Sequence, residues 1–352
     1  MIEDFGWSQA LQDAFAPHRA RGWTPARVIA AHRDLWRIVA PFGEANARLT
    51  GRFAHHEANR PIVGDWVAVE PTTGDAALIH ALGPRVSALT RRDPGGGAQA
   101  LVANVDVALI AASLNADFNL RRLERYLVLA RDGGVRPVIV LTKADLSRDA
   151  AALTSAVAAI AGDAAVIVVS ALRGEGLDAA RAQLAPGATA ALLGSSGVGK
   201  STLINALAGR DLMRTGAIRA DDDRGRHTTT HRELVRLPWG ALVIDTPGLR
   251  ELGLIADDAA LGASFADVAA LARGCRFADC SHEREPGCAV RAALESGALD
   301  AARWRGFQKL QREIAYSERR DDPIAEAAER DRWKRIHKNA RQRIKHKRRL
   351  ED

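Results

Sequence analysis

The octapeptide GSSGVGKS, Gly194 to Ser201, constrains this chain more tightly than any other stretch, because it dictates what must stand on either side of it. The spacing G-x-x-x-x-G-K-S suits a loop that wraps a polyphosphate, and such a loop works between a buried strand and a helix N-terminus. ATAALL supplies the apolar run before it, and STLINALAG supplies the helical pattern after it. Gly194, Gly197 and Gly199 permit the turns that aim successive amide N–H groups at phosphate oxygens, and the positive end of the helix dipole adds to them. Gly194, Ser195, Ser196, Gly197, Val198, Gly199, Lys200, Ser201 and Thr202 are therefore the expected phosphate-binding set. Lys200 is expected to bridge the β- and γ-phosphates, and Ser201 to ligate Mg²⁺.

Around that loop the chain alternates apolar strands (VDVALIAAS, RPVIVLT, AAVIVVSA, ATAALLG) with helical stretches (NLRRLERYLVLARD, RDAAALTSAVAAIAG, GLDAARAQL). This alternation predicts an α/β domain with a parallel sheet covered on both faces. Two more strands are expected around RELVRLP and ALVIDTPG. Asp245 ends the latter strand, which carries its carboxylate to the sheet edge beside the phosphates, where it can hold Mg²⁺ through water. Gly248 is then placed to meet the γ-phosphate with its N–H.

Base choice is expected from Thr142, Lys143, Ala144 and Asp145, at the end of another apolar strand. A carboxylate there accepts both the ring N–H and the exocyclic amine of guanine, and adenine offers neither donor in that arrangement. Ser170, Ala171 and Leu172, after VIVV, would supply a backbone N–H to the guanine carbonyl oxygen. Each short motif alone is weak; on successive strands beside the phosphate loop they favour GTP over ATP.

The order of these parts is unusual. Ordinary GTPases run from phosphate loop through DxxG to the base-reading motifs, whereas this chain runs TKAD, SAL, GSSGVGKST, GRHTTT and then DTPG. That order resembles a circularly permuted GTPase. With a β-rich segment before it and a Cys/His segment after it, the chain resembles the RsgA/YjeQ family along essentially its whole length. The resemblance implies a GTPase that binds the small (30S) ribosomal subunit and its rRNA late in maturation, with turnover stimulated by the subunit. A nucleotide-gated RNA-binding module with incidental hydrolysis is the alternative. Thr142 departs from the general pattern, in which Asn is common, so the bracing role of that amide is lost or replaced.

Leu249 occupies the position after DxxG where a Gln orients water in Ras-like enzymes, and it cannot do that work. The polar segment DDDRGRHTTTH reads as a mobile switch. Thr228, Thr229 and Thr230 are equally eligible there to reach Mg²⁺ and the γ-phosphate. His227 is the nearest polar alternative for orienting water, a role the resemblance also implies for it.

Only three cysteines occur, all between Cys275 and Cys288. Cys275, Cys280, His282 and Cys288 form C-x4-C-x-H-x5-C, three thiolates and an imidazole that suit one closed, structural Zn²⁺ site. A disulfide scaffold is excluded by so few cysteines, and the start of the chain lacks the build of a signal peptide. No apolar stretch is long enough to cross a bilayer, so a cytoplasmic protein without a membrane partner is expected, as a monomer. The formal charge of +7 is concentrated between Arg332 and Arg349, a run that suits phosphate contacts with RNA. The expected organisation is an N-terminal extension over 1–34, an OB-like barrel over 35–90 and a permuted GTPase domain over 91–256. A zinc-binding and basic helical domain is expected over 257–352.

Overall fold

The computed structural model describes residues 2–54, 60–92, 98–115, 117–213, 232–246 and 256–321. Five short strands, β1 (Thr24–Ala31), β2 (Trp36–Ala40), β3 (Gly43–Leu49), β4 (Trp66–Pro71) and β5 (Ala76–Leu82), close a barrel in the order β1-β2-β3-β5-β4. The barrel is filled by Val28, Trp36, Ile38, Val67, Val69 and Ile79. Helix α1 (Gln9–Arg19) starts at Ser8, whose hydroxyl accepts from the Leu11 amide, and its Leu11 and Phe15 pack on Trp66 from outside the barrel. A single turn, α2 (Gly51–Ala54), succeeds β3.

Two boundaries differ from the sequence expectation. The barrel begins at Thr24, inside the expected extension over 1–34. Six of the eight residues of β1 are buried, because its inner face meets the barrel core and its outer face meets neighbouring elements; no polar alternation marks it as a strand. The last strand within the expected barrel range of 35–90 lies outside the barrel. This strand, β6 (Ala88–Arg92), pairs with β7 (Ala98–Ala103) as a separate antiparallel ladder, so the expected break at Arg91 falls within a hairpin.

A buried arginine ties the barrel to the turn after β7. Arg27 is 2% exposed, donates to the carbonyls of Phe5 and Asn104, and lies 5.3 Å from the ring centre of Trp66. Burial draws its pKa down to about 10. Gly64 allows the close approach at this junction: its φ is +93°, and a Cβ there would stand 2.0 Å from the Ala103 carbonyl oxygen.

The central domain comprises β8 (Val107–Ser113), α3 (Leu120–Asp132), β9 (Arg136–Thr142), α4 (Ala150–Ala161), β10 (Ala165–Val168) and α5 (Leu177–Arg181). It continues with β11 (Thr189–Leu193), α6 (Lys200–Ala208), β12 (Leu234–Arg236) and β13 (Leu242–Asp245). The sheet order is β10-β9-β8-β11-β13-β12, parallel except for the edge strand β12. Every residue of β8 is buried, with Ile110 in the core on one face and Leu109 in the core on the other. That is the burial pattern of a parallel strand covered by helices on both sides.

The C-terminal module consists of α7 (Asp258–Ser264), α8 (Ala266–Arg273), α9 (Ala289–Ser296) and α10 (Ala301–Asp321). Arg303 of α10 anchors it. Its guanidinium donates to Glu124 of α3 at 2.8 Å, to Asp267 at 2.9 Å and to the Ser264 carbonyl at 2.9 Å, and it lies 3.9 Å from the centre of the Phe265 ring. No helix among the described residues is long and apolar enough to cross a membrane.

Candidate functional site

The expected nucleotide-binding residues gather along the carboxyl edge of the sheet, in an order set by the strands rather than by the chain. Ser170 comes just after β10, the Thr142–Asp145 segment ends β9, the glycine loop leaves β11, and Asp245 ends β13. Strands in a sheet lie about 4.8 Å apart, so the two-strand step from β9 to β11 separates the base-reading and phosphate-binding loops by roughly 10 Å. That edge is the crevice where open parallel sheets bind ligands, and its span suits a nucleotide.

The glycine loop has the backbone its sequence demands. Gly194, Gly197 and Gly199 adopt φ values of +139°, +76° and +96°. A Cβ at Gly194 would approach the Ala111 carbonyl oxygen to 2.5 Å, so only glycine fits against β8 there. Gly199 caps α6, and Lys200 is its first residue. Lys200 Nζ donates to the carbonyls of Gly194 and Ser195 at 2.8 Å each, which curls the side chain over the mouth of the loop. Ser201 and Thr202 occupy the first turn of α6.

Thr142 links the two halves of the site. Its hydroxyl donates at 2.5 Å to the carbonyl of Val198 in the glycine loop, and the residue is 4% exposed. The hydroxyl thus braces the glycine loop from the end of β9, in the place where an Asn amide is more usual in the general GTPase pattern. Lys143 adopts the left-handed region at φ +57°, which turns the chain sharply before Ala144 and Asp145. The Ser170 hydroxyl donates to Asp145 Oδ1 at 2.7 Å and holds that carboxyl below its ordinary pKa. Ser170 and Glu175 exchange two backbone hydrogen bonds of 3.1 Å, shaping the loop that carries Ala171 and Leu172. Leu172 is 81% exposed.

Asp245 lies in register with Leu192 of β11, and the next residue, Thr246, donates its hydroxyl to the Leu192 carbonyl. The end of β13 is therefore tied to the strand that feeds the glycine loop. His227, Thr228, Thr229, Thr230 and Gly248 lie outside the described residues, as do Leu249, His231 and the basic run Arg332–Arg349. Sequence reasoning missed Arg122, on the first turn of α3, which donates to the Ser195 hydroxyl of the glycine loop at 2.5 Å. Helical periodicity marks α3 as amphipathic, but it gives no sign that one of its cations reaches a loop 73 residues later.

A second site lies in the C-terminal module. Sγ of Cys275 and Sγ of Cys288 each stand 3.5 Å from His282 Nδ1 and 4.0 Å from one another. With Cys280, all four ligand atoms fall within 4.8 Å. A tetrahedral zinc with Zn–S near 2.3 Å and Zn–N near 2.0 Å would space its ligands by roughly 3.5–3.8 Å, so the cluster is compatible with such a site. His282 adopts φ +64°, and its ring meets Trp304 of α10 edge-on at 5.6 Å. Burial pushes the Cys280 thiol up to about 11, so a metal entering here must displace its proton.

The chain matches the RsgA GTPase family over residues 82–255. It is 49% identical to the small ribosomal subunit biogenesis GTPase RsgA of Opitutus terrae, over 97% of both chains. It is also 47% identical to a second such protein, RsgA 2 of Lactiplantibacillus plantarum, over 89% of each. Among solved structures it resembles YjeQ from Thermotoga maritima, with a TM-score of 0.63 at 26% identity, covering 83% of this chain and 99% of that one. YloQ, a circularly permuted GTPase, shares the fold with a TM-score of 0.57 at 23% identity, covering 83% of this chain and 95% of that one.

The Thr142 brace generates a direct test. Thr142→Val keeps the shape but removes the donor, leaving the Val198 carbonyl without this partner. Loss of such a bond costs about 1–3 kcal/mol, so GTP affinity is expected to fall by roughly tenfold or more, measured by titration with a fluorescent guanine nucleotide. Unchanged affinity would show that the brace does not shape the loop.

Proposed function

We propose that this chain, which belongs to the RsgA GTPase family, binds GTP along the carboxyl edge of its sheet and hydrolyses it to GDP and phosphate while engaged with the small (30S) ribosomal subunit late in maturation. The observation that carries this reading is the hydrogen bond from Thr142 to Val198, which makes the base-reading and phosphate loops one structure. GTP hydrolysis itself accords with membership of the family. The subunit as partner rests on the relatives' names.

In this reading Asp145, kept ionised by the Ser170 hydroxyl, accepts the two guanine N–H groups, and a backbone N–H of the Ser170–Leu172 segment donates to the guanine carbonyl. Amides from Gly194 to Thr202 cradle the phosphates. Lys200 exchanges its two loop carbonyls for β- and γ-phosphate oxygens, so the ammonium stays hydrogen-bonded in both states. Ser201 and Asp245 would hold Mg²⁺, which when bound neutralises charge developing on the phosphate oxygens. Gly248 senses the γ-phosphate, one of Thr228, Thr229 and Thr230 would serve as a further Mg²⁺ ligand, and His227 orients the attacking water when the partner is bound.

In this reading Cys275, Cys280, His282 and Cys288 would hold one zinc in a structural role. The chain acts as a cytoplasmic monomer and meets rRNA through phosphate contacts, the Arg332–Arg349 run among them.

GTP turnover by the purified chain is therefore expected to be slow alone and to rise at least about tenfold when purified small subunits are added. His227→Ala should abolish that rise while nucleotide affinity persists. Equal turnover with and without subunits would remove the ribosomal reading, and a stimulated His227→Ala chain would remove the role of that histidine. Cys280→Ser should lose stoichiometric zinc by elemental analysis and lower the melting temperature, because zinc binding and folding of so small a module are coupled. Full retention of both zinc and stability would rule out the four-ligand site.

A further inference from the structure

Between α3 and α10 runs a cleft of about 650 Å³. Its walls carry five cations, Arg121, Arg122 and Arg125 from α3 and Arg305 and Lys309 from α10, against a single acid, Glu124. Three of the five are already engaged: Arg121 with Glu124, Arg125 with both oxygens of Glu313 at 2.7 Å, and Arg122 with the Ser195 hydroxyl and, at 3.4 Å, with Asp117. Asp300 also lies 3.5 Å from Arg121. Arg305 and Lys309 are different. Both are exposed, and neither has an acidic partner among the described residues. They stand four residues apart on one face of α10, and exposed Arg312 continues the same stripe a turn further on.

An uncompensated stripe of this kind along a cleft attracts a polyanion, and the planar fork of arginine matches phosphate oxygens. We propose that the cleft between α3 and α10 takes a phosphodiester strand of an RNA partner, with Arg305 and Lys309 as its principal phosphate contacts. The inference deepens the ribosomal reading and rests on it. It adds a second site to the contacts expected of the basic run at Arg332–Arg349. Because Arg122 lines the cleft and also holds Ser195 of the glycine loop, a strand bound here lies one side chain from the nucleotide site.

Each phosphate contact to a single strand contributes about 0.7 to the slope of log affinity against log salt. The doubly substituted chain Arg305→Ala, Lys309→Ala is expected to bind purified small subunits and a short single-stranded RNA more weakly, with a salt slope shallower by roughly 1.4. Zinc content and melting temperature serve as folding controls, since both side chains are exposed and alanine suits a helix. If the parent binds and the variant binds with the same affinity and slope, the cleft is not the site and the ribosomal reading stands. If the parent binds neither probe, the ribosomal reading falls and the cleft assignment with it. Competition by polyglutamate as effective as that by RNA would reassign the cleft to an acidic protein and overturn the proposal.

Discussion

One buried hydroxyl ties the two halves of the candidate nucleotide site to each other. Thr142 stands at the end of β9 and Val198 in the loop after β11, with β8 between them, yet the Thr142 side chain closes the gap at 2.5 Å. The bond is buried and donates to a backbone carbonyl whose loop must keep its amides free for phosphate. A loop with glycine at 194, 197 and 199 would otherwise sample many shapes, and fixing it in advance lowers the cost of ordering it around a ligand. Asp145 stands three residues on from the same strand end, so in the proposed reading selection of the base and retention of the phosphates share one support.

Circular permutation leaves this geometry intact because the sheet, not the chain order, determines which strand ends are neighbours. What changes is where the chain goes next. In this fold β13 and Asp245 lead on to the C-terminal module, while α3 stands between that module and the glycine loop. Arg303 of α10 and Glu124 of α3 form a buried pair, at 7% and 1% side-chain exposure. The pair belongs to a wider network, since Arg303 also meets Asp267 and Glu124 also meets Arg121, so each charge keeps a second partner. Arg122, two positions before Glu124, reaches the glycine loop on the other side. Helix α3 thus connects a metal-compatible module to the glycine loop by two polar contacts less than one helical turn apart.

Much of this is legible in the sequence because strand, loop and helix signals coincide. GSSGVGKS sits between a buried strand and a helix, and TKAD, SAL and DTP each begin where an apolar run stops, so the fold class and permuted order are readable. The spacing of Cys275, Cys280, His282 and Cys288 likewise announces a compact cluster. Strand β1 is not readable, since burial on both faces erases the alternation that separates a barrel strand from an ordinary apolar segment. Strand β6 reads as barrel because pattern identifies strands but not their partners. Arg27, Arg122 and Arg303 are invisible for a related reason: each acts across a long sequence separation, on carbonyls, a hydroxyl or a carboxylate that no local pattern brings near.

If Asp145 reads the base of the nucleotide whose phosphates the Lys200 loop holds, the two halves of the site must act on one ligand. Equilibrium titration of the parent chain and of Asp145→Asn with GTP and ATP tests this most directly. The parent is expected to prefer GTP by several orders of magnitude, since a site built to satisfy guanine donors leaves buried groups unpaired with adenine. The Asp145→Asn chain is expected to lose about 3 kcal/mol of GTP binding, roughly a hundredfold, from two charge-assisted hydrogen bonds. Equal affinity of the parent for ATP and GTP, or an Asp145→Asn chain with the parent's preference intact, would contradict it.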